Sequence, residues 1–305
     1  MSLLPGNDPT NDGNPCPDAV EMVIVPRTAD LGGFEVRRVL PFRNKRMVGP
    51  FIFWDEFGPG EFLTGQGLDV LPHPHIGLST VTFLEEGRLE HRDSVGSFQV
   101  IEPGDVNLMH AGSGIVHSER TVATDRASGF RMAGIQSWLA SPLDQEDAAP
   151  AFIHASKEDL PVLTGEGAEV RVILGESFGE RSPVATPWPT LYLDVRLDAG
   201  AKLPIEAETE ERALYGIAGE VRIEGVEYPS QRMLVLKPGF TATIEAVTPA
   251  RFMVLGGAVM DGPRHIWWNF VASSKERIEE AKEKWRAREF PEVPGDADEF
   301  VPLPG

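Results

Sequence analysis

From Val20 onward the apolar residues fall in short runs rich in β-branched and aromatic side chains, cut by Gly, Pro and Asp. Such runs occupy residues 21–25, 34–40, 80–84, 99–101, 106–109 and 130–138, then 169–174, 190–197 and 251–255. Short strands separated by turn signals predict an antiparallel sandwich or barrel. Helical spacing of apolar residues is strong only over 273–288, where Ile278, Ala281 and Trp285 repeat and Ser273 or Ser274 is placed to cap. The polar segment 141–151 reads as a linker, and residues 291–304 form a Pro-rich tail.

The pattern repeats. The segment from Leu84 to Glu90 resembles that from Ile217 to Ile223, and Glu102-Pro103-Gly104 resembles Lys237-Pro238-Gly239. Two copies of one small β-barrel follow. The chain is thus all-β, with residues 1–19 expected as a disordered tail and 20–145 as the first barrel. Residues 146–270 are the second barrel, and 271–305 the helix and tail.

Charge and cysteine content narrow the function. The 47 acidic residues outnumber the 28 basic ones, for a formal charge of −19, which disfavours a phosphate backbone as a direct partner. The single cysteine, Cys16, excludes an intramolecular disulfide and fits a reducing compartment. Neither a signal-peptide pattern nor a long apolar run is present, so a soluble cytoplasmic protein without membrane contact is expected.

The candidate chemistry lies in His73-Pro74-His75 and His117-Ser118-Glu119. On a strand, residues i and i+2 share a face. Two such strands side by side would converge three imidazoles and a carboxylate, a donor set for a divalent transition metal. Pro74 cannot donate to a ladder, which predicts an edge strand or a bulge. Aligning the two copies on their Gly and Pro-Gly turns puts Ile205 and Ala207 opposite His73 and His75, and Phe252 and Val254 opposite His117 and Glu119. The second barrel is therefore expected to be packed with side chains and to carry no metal. His91 is expected to face solvent, His110 to stand behind the ligands, and His154 and His265 to be structural.

These segments resemble the cupin superfamily and, more narrowly, the pirin family. The matching words are Arg46-Met47-Val48-Gly49-Pro50-Phe51, Pro72-His73-Pro74-His75-Ile76-Gly77, Leu89-Glu90-His91-Arg92-Asp93-Ser94 and Pro103-Gly104-Asp105-Val106. AGSGIVHSE at 111–119 and Gly134-Ile135-Gln136-Ser137-Trp138 complete them. The resemblance implies two tandem cupin-type, jelly-roll-like antiparallel barrels. It also implies an iron site on His73, His75, His117 and Glu119. Fe(II) is the expected ion; Ni, Cu, Co, Mn and Zn are the alternatives. General cupins carry a glutamate four residues after the second histidine, a metal ligand there and the catalytic base in flavonol dioxygenases. Ser79 stands at that place, leaving Glu119 as ligand and catalytic base. Two functions are expected from this resemblance. One is Fe(II)-dependent dioxygenase action on a quercetin-like flavonol or another vicinal hydroxy-ketone. The other is a non-enzymatic regulator whose metal or redox state governs binding to a protein partner.

Overall fold

The β-runs close into two antiparallel barrels in the computed structural model, which describes residues 9–13, 16–30 and 35–304. In the first barrel a seven-stranded sheet runs in the order Ala151–Ala155, Val106–His110, Leu78–Glu86, Phe130–Ala140, Phe51–Phe62, Glu35–Leu40, Arg27–Asp30. Its second sheet has four strands, Val70–His75, Ile115–Thr121, Leu89–Asp93 and Phe98–Ile101. The second barrel repeats the plan. Its four-stranded sheet runs Lys202–Ile205, Ala242–Ala246, Glu220–Ile223, Val226–Pro229. Its eight-stranded sheet centres on Met233–Leu236, Glu211–Ala218, Ala250–Gly257 and Thr190–Leu197.

Two strands cross the boundaries expected from sequence. Val20–Val25 pairs with Met233–Leu236 in the second barrel, and Ala151–Ala155 pairs with Val106–His110 in the first. Each large sheet therefore borrows a strand from the chain segment of the other. The physical reason is that an unpaired sheet edge must be covered, and a strand's local pattern does not name its partner. The tail expected over 1–19 falls partly outside the described residues. Within them, Thr10–Asn11 pairs with the Val20–Val25 strand and Cys16 packs against the second barrel's core.

The barrels meet back to back over one apolar cluster. Phe51, Trp54, Val81, Phe83 and Ile135 of the first pack with Tyr192, Tyr215, Met233 and Leu255 of the second. Edge-on ring contacts, Phe51 to Tyr192 and Trp54 to Tyr215, each have centroids 5.7 Å apart. The Tyr215 hydroxyl donates to Glu56 across the seam at 2.6 Å.

The topology corrects the repeat alignment. Pro103-Gly104 precedes the Val106–His110 strand, whereas Pro238-Gly239 follows its counterpart, Met233–Leu236, so the two turns are not equivalent. Strand pairing gives the correspondence of the later strand: with the Gly87 and Gly219 turns aligned, Thr121 pairs with Leu89 as Ala246 pairs with Val221, and His117 lies opposite His73 as Ala242 lies opposite Ile205. Thus Ile205, Ala207, Ala242 and Ile244 replace His73, His75, His117 and Glu119; Ile205, Ala242 and Ile244 are buried in the second core and Ala207 is half-buried. Ile205 and Ala207 are thus the residues that the Gly turns indicate, whereas Phe252 and Val254 lie one strand further along. None of the four true counterparts is a metal donor.

The helix spans Lys275–Arg286, and Ser274, not Ser273, caps it by accepting from the Arg277 amide at 3.4 Å. Its Ile278, Ala281 and Trp285 pack with Ile76, Val116, Trp268 and Phe270, on the outer side of the strands that carry the histidines. The chain beyond continues over the same strands: the Val301 amide donates to the Pro72 carbonyl, and Arg120 grips Asp296 through two bonds of 3.0 and 2.8 Å. No helix among the described residues is long and apolar enough to cross a membrane.

Gly77 shows how closely this layer is built. It turns the chain between the His75 strand and Leu78–Glu86 at a φ of +62°. A Cβ there would stand 2.1 Å from the Val271 carbonyl oxygen. Gly77→Ala is expected to cost about 1–3 kcal/mol from backbone strain alone, before the clash is relieved. Thermal unfolding checks this; an unchanged melting temperature would contradict it.

Candidate metal centre

Val70–His75 is an edge strand, as Pro74 requires. His73 and His117 are directly opposed across the ladder, and His75 lies two residues along on the same face. The donor atoms of His73, His75 and His117 lie within 4.8 Å of one another. The three rings have centroids 4.4–5.0 Å apart, and the residues are 0, 0 and 1% exposed. Glu119 is not one of that group. It is buried two residues past His117, after a register shift in the ladder, opposite Val70 and His91.

Hydrogen bonds fix the tautomer of each ring. His73 donates from Nδ1 to the Leu71 carbonyl at 2.8 Å, and His75 from Nδ1 to the Asn269 carbonyl at 3.1 Å. A carbonyl accepts only, so both Nε2 atoms carry lone pairs. His91 donates from Nε2 to Asp93 at 3.0 Å, which leaves its Nδ1 to accept from His117 Nδ1 at 3.4 Å. The third Nε2 is then also a lone pair. The Asp93 carboxylate is itself held: burial pushes it up, but the His91 bond and the Ser97 amide outweigh burial and bring it below the usual range.

Three Nε2 atoms thus converge, with no partner but one another among the described residues. His75 Nε2 and His117 Nε2 face each other at 3.1 Å, and the buried His73 Nε2 has no hydrogen-bond partner among the described residues. Two nitrogens sharing one ion at ~2.1 Å and a right angle stand ~3.0 Å apart. The donor set therefore fits a transition metal. A ring nitrogen oriented by a second acceptor on its other side is the usual support of a metal-binding histidine.

Burial also keeps the rings neutral. It pushes His73 down to about 3 and holds His75 and His117 well below the ordinary 6.5. The unfolded chain takes up protons on these groups as pH falls through 6.5, and the folded chain does not. Their contribution to stability is therefore complete above pH 6.5 and is lost on acidification. The urea midpoint of metal-free protein is expected to fall between pH 7 and pH 5, and to fall less in His73→Phe. Equal pH dependence of the two proteins would contradict this.

His91 corrects the sequence reading. It is buried, stacked on Phe152 with centroids 4.4 Å apart, and bonded to His117. The signal was available in the run LEHRD, where Leu89, His91 and Asp93 share one buried face. Ser79 and His110 differ from expectation as well. They bond each other at 3.0 Å on the strand face of Val81 and Phe83, which packs toward the second barrel. Thr80, Thr82 and their neighbours Gln136 and Trp138 occupy the opposite face, and the Trp138 ring is 5.3 Å from His75. A carboxylate at 79 would therefore point away from the histidines. His154 bonds Asn107 at 2.8 Å and His265 belongs to the hairpin His265–Trp267/Phe270–Ala272.

Comparison with known proteins agrees with this picture. A family profile described as Pirin matches residues 33–139, and one described as Pirin C-terminal cupin domain matches residues 192–291. A Pirin-like protein of Caulobacter vibrioides is 47% identical over 288 residues, 93% of this chain and 99% of that one. Rat Pirin is 34% identical over 259 residues, 82% of this chain and 85% of its own. The crystal structure of a quercetin 2,3-dioxygenase from Acinetobacter baumannii superposes with a TM-score of 0.85 at 35% identity, covering 93% of this chain and 94% of that one. The chain belongs to the pirin family, as a bicupin with a three-histidine site in its first barrel.

Proposed function

We propose that this chain is a metal-dependent dioxygenase acting on a quercetin-like flavonol or another vicinal hydroxy-ketone. The observation that carries the proposal is the convergence of three neutral, orientationally fixed Nε2 lone pairs in the first barrel. Relatedness to a quercetin 2,3-dioxygenase supports the substrate class. His73, His75, His117 and Glu119 would hold the ion, with Fe(II) as the reading and Ni, Cu, Co, Mn or Zn as its competitors. Bound there, the ion supplies Lewis acidity at the substrate oxygens and a redox partner for dioxygen.

The remaining work falls to this chain. Burial of the histidines excludes bulk water. Trp138 Nε1, Gln136 Nε2 and both side-chain polar atoms of Asn269 are buried without hydrogen-bond partners among the described residues. These groups would orient a hydroxy-ketone beside His75. Glu119 is the proton acceptor for the substrate hydroxyl.

A second reading has one observation in its favour. Because the histidines are almost wholly buried, substrate reaches them only if the wall opens; a regulator whose metal state sets its surface needs no such opening. Protein purified without added metal, analysed for its elements and then loaded with Fe(II), separates the two. Oxygen uptake that tracks quercetin loss is expected. A fully loaded protein that consumes no oxygen with quercetin or related hydroxy-ketones would sink the dioxygenase reading and favour the regulator.

A further inference from the structure

Behind the hairpin that touches His75 lies a cavity of about 720 Å³. It is walled by Arg46 and Met47 from the turn before Phe51–Phe62, by residues 263–267, and by Lys275, Ile278 and Glu279 of the helix. This cavity is separate from the histidine cluster: Trp267 lines it, whereas Asn269, across the hairpin turn, supplies the carbonyl that His75 donates to.

The wall is apolar with positive charge at its rim. Met47, Pro263, Ile266, Trp267 and Ile278 give it its apolar surface. Its one carboxylate, Glu279, is taken up by Lys282, whose ammonium donates to both oxygens at 2.8 Å. The Arg264 guanidinium is spent on the Ser141 carbonyl and Asp261. Arg46 and Lys275 are exposed, and neither makes an ion pair or hydrogen bond among the described residues. An apolar cavity of this size with a few convergent polar groups has the form of a small-molecule site.

We propose that this cavity binds an amphipathic organic anion: a flat apolar body seated against Trp267 and Ile278, with a carboxylate held by Arg46 and Lys275. The overall acidity of the chain excludes a polyanion, and the apolar wall excludes a small inorganic one.

The test uses the full-length protein and 1-naphthoate, followed by calorimetry and by tryptophan fluorescence, with 1-naphthalenemethanol as the neutral counterpart. One saturable site per chain is expected for naphthoate. The alcohol should bind at least ~10-fold more weakly, the discrimination expected of a charge-assisted contact. Arg46→Gln/Lys275→Gln should lose at least ~10-fold in naphthoate affinity, keep its melting temperature because both side chains are exposed, and bind the alcohol as wild type does. Two results overturn the proposal. One is naphthoate binding that is absent, or unchanged in the double variant. The other is binding that survives in the double variant but disappears in His117→Ala, which would place the anion on the metal centre instead.

Discussion

His117→Ala is expected to strip the protein of its metal. The substitution removes one of three converging Nε2 donors from a site where the remaining two are held by backbone carbonyls and have no means of closing the gap. A loss of at least ~100-fold in metal affinity is expected, since even removal of an outer partner costs about 10–100-fold. The graded comparison is His91→Phe. Phenylalanine keeps the stack on Phe152 but removes the nitrogen that accepts from His117 Nδ1. Affinity should then fall by the smaller amount, about 10–100-fold, because all three donors survive and only the tautomer of one is unlocked. Metal content after dialysis against a graded chelator orders the three proteins. If His91→Phe retains metal as wild type does, then His91 has no part in orienting His117.

The second large effect is on stability. Arg38 and Asp55 form a two-pronged pair inside the first barrel at 2.7 and 2.6 Å, with side chains 1 and 0% exposed, and the guanidinium lies 4.5 Å from the centre of the Phe53 ring. Asp55→Ala strands a cation in that interior and is expected to cost about 3–5 kcal/mol. The pair itself need not be worth that much, because desolvation of both charges offsets their attraction. Arg38→Met/Asp55→Leu is therefore expected to recover most of the loss. Urea unfolding at neutral pH measures both. A single variant within ~1 kcal/mol of wild type would contradict the large cost that burial assigns to breaking such a pair.

Much of the fold and part of the site could be read from the chain because the relevant signals are local. His73-Pro74-His75 contains its own geometry: an i,i+2 pair on one face, and a proline that restricts the strand to an edge. The helix declared its buried stripe through Ile278, Ala281 and Trp285. What the sequence could not reveal depends on partners distant in the chain. The exchange of Val20–Val25 and Ala151–Ala155 between barrels is a choice among sheet edges, and no strand's own pattern encodes it. The carbonyl of Asn269 reaches His75 from 194 positions away, through a hairpin placed by the helix behind it. The two Pro-Gly turns misled the alignment because turn chemistry recurs wherever strands reverse, so the same dipeptide marks different corners of the two barrels. The Gly turns, by contrast, placed Ile205 and Ala207 correctly, and the corresponding locus of the second barrel holds only the apolar Ile205, Ala207, Ala242 and Ile244.

The most direct test of the metal centre is anomalous diffraction at the iron edge from crystals of protein loaded with Fe(II). One strong peak per chain is expected, about 2.0–2.2 Å from Nε2 of His73, His75 and His117, with a Glu119 oxygen as the fourth protein donor. A peak held by other residues, or no peak between the three imidazoles in fully loaded protein, would contradict a metal centre at these histidines.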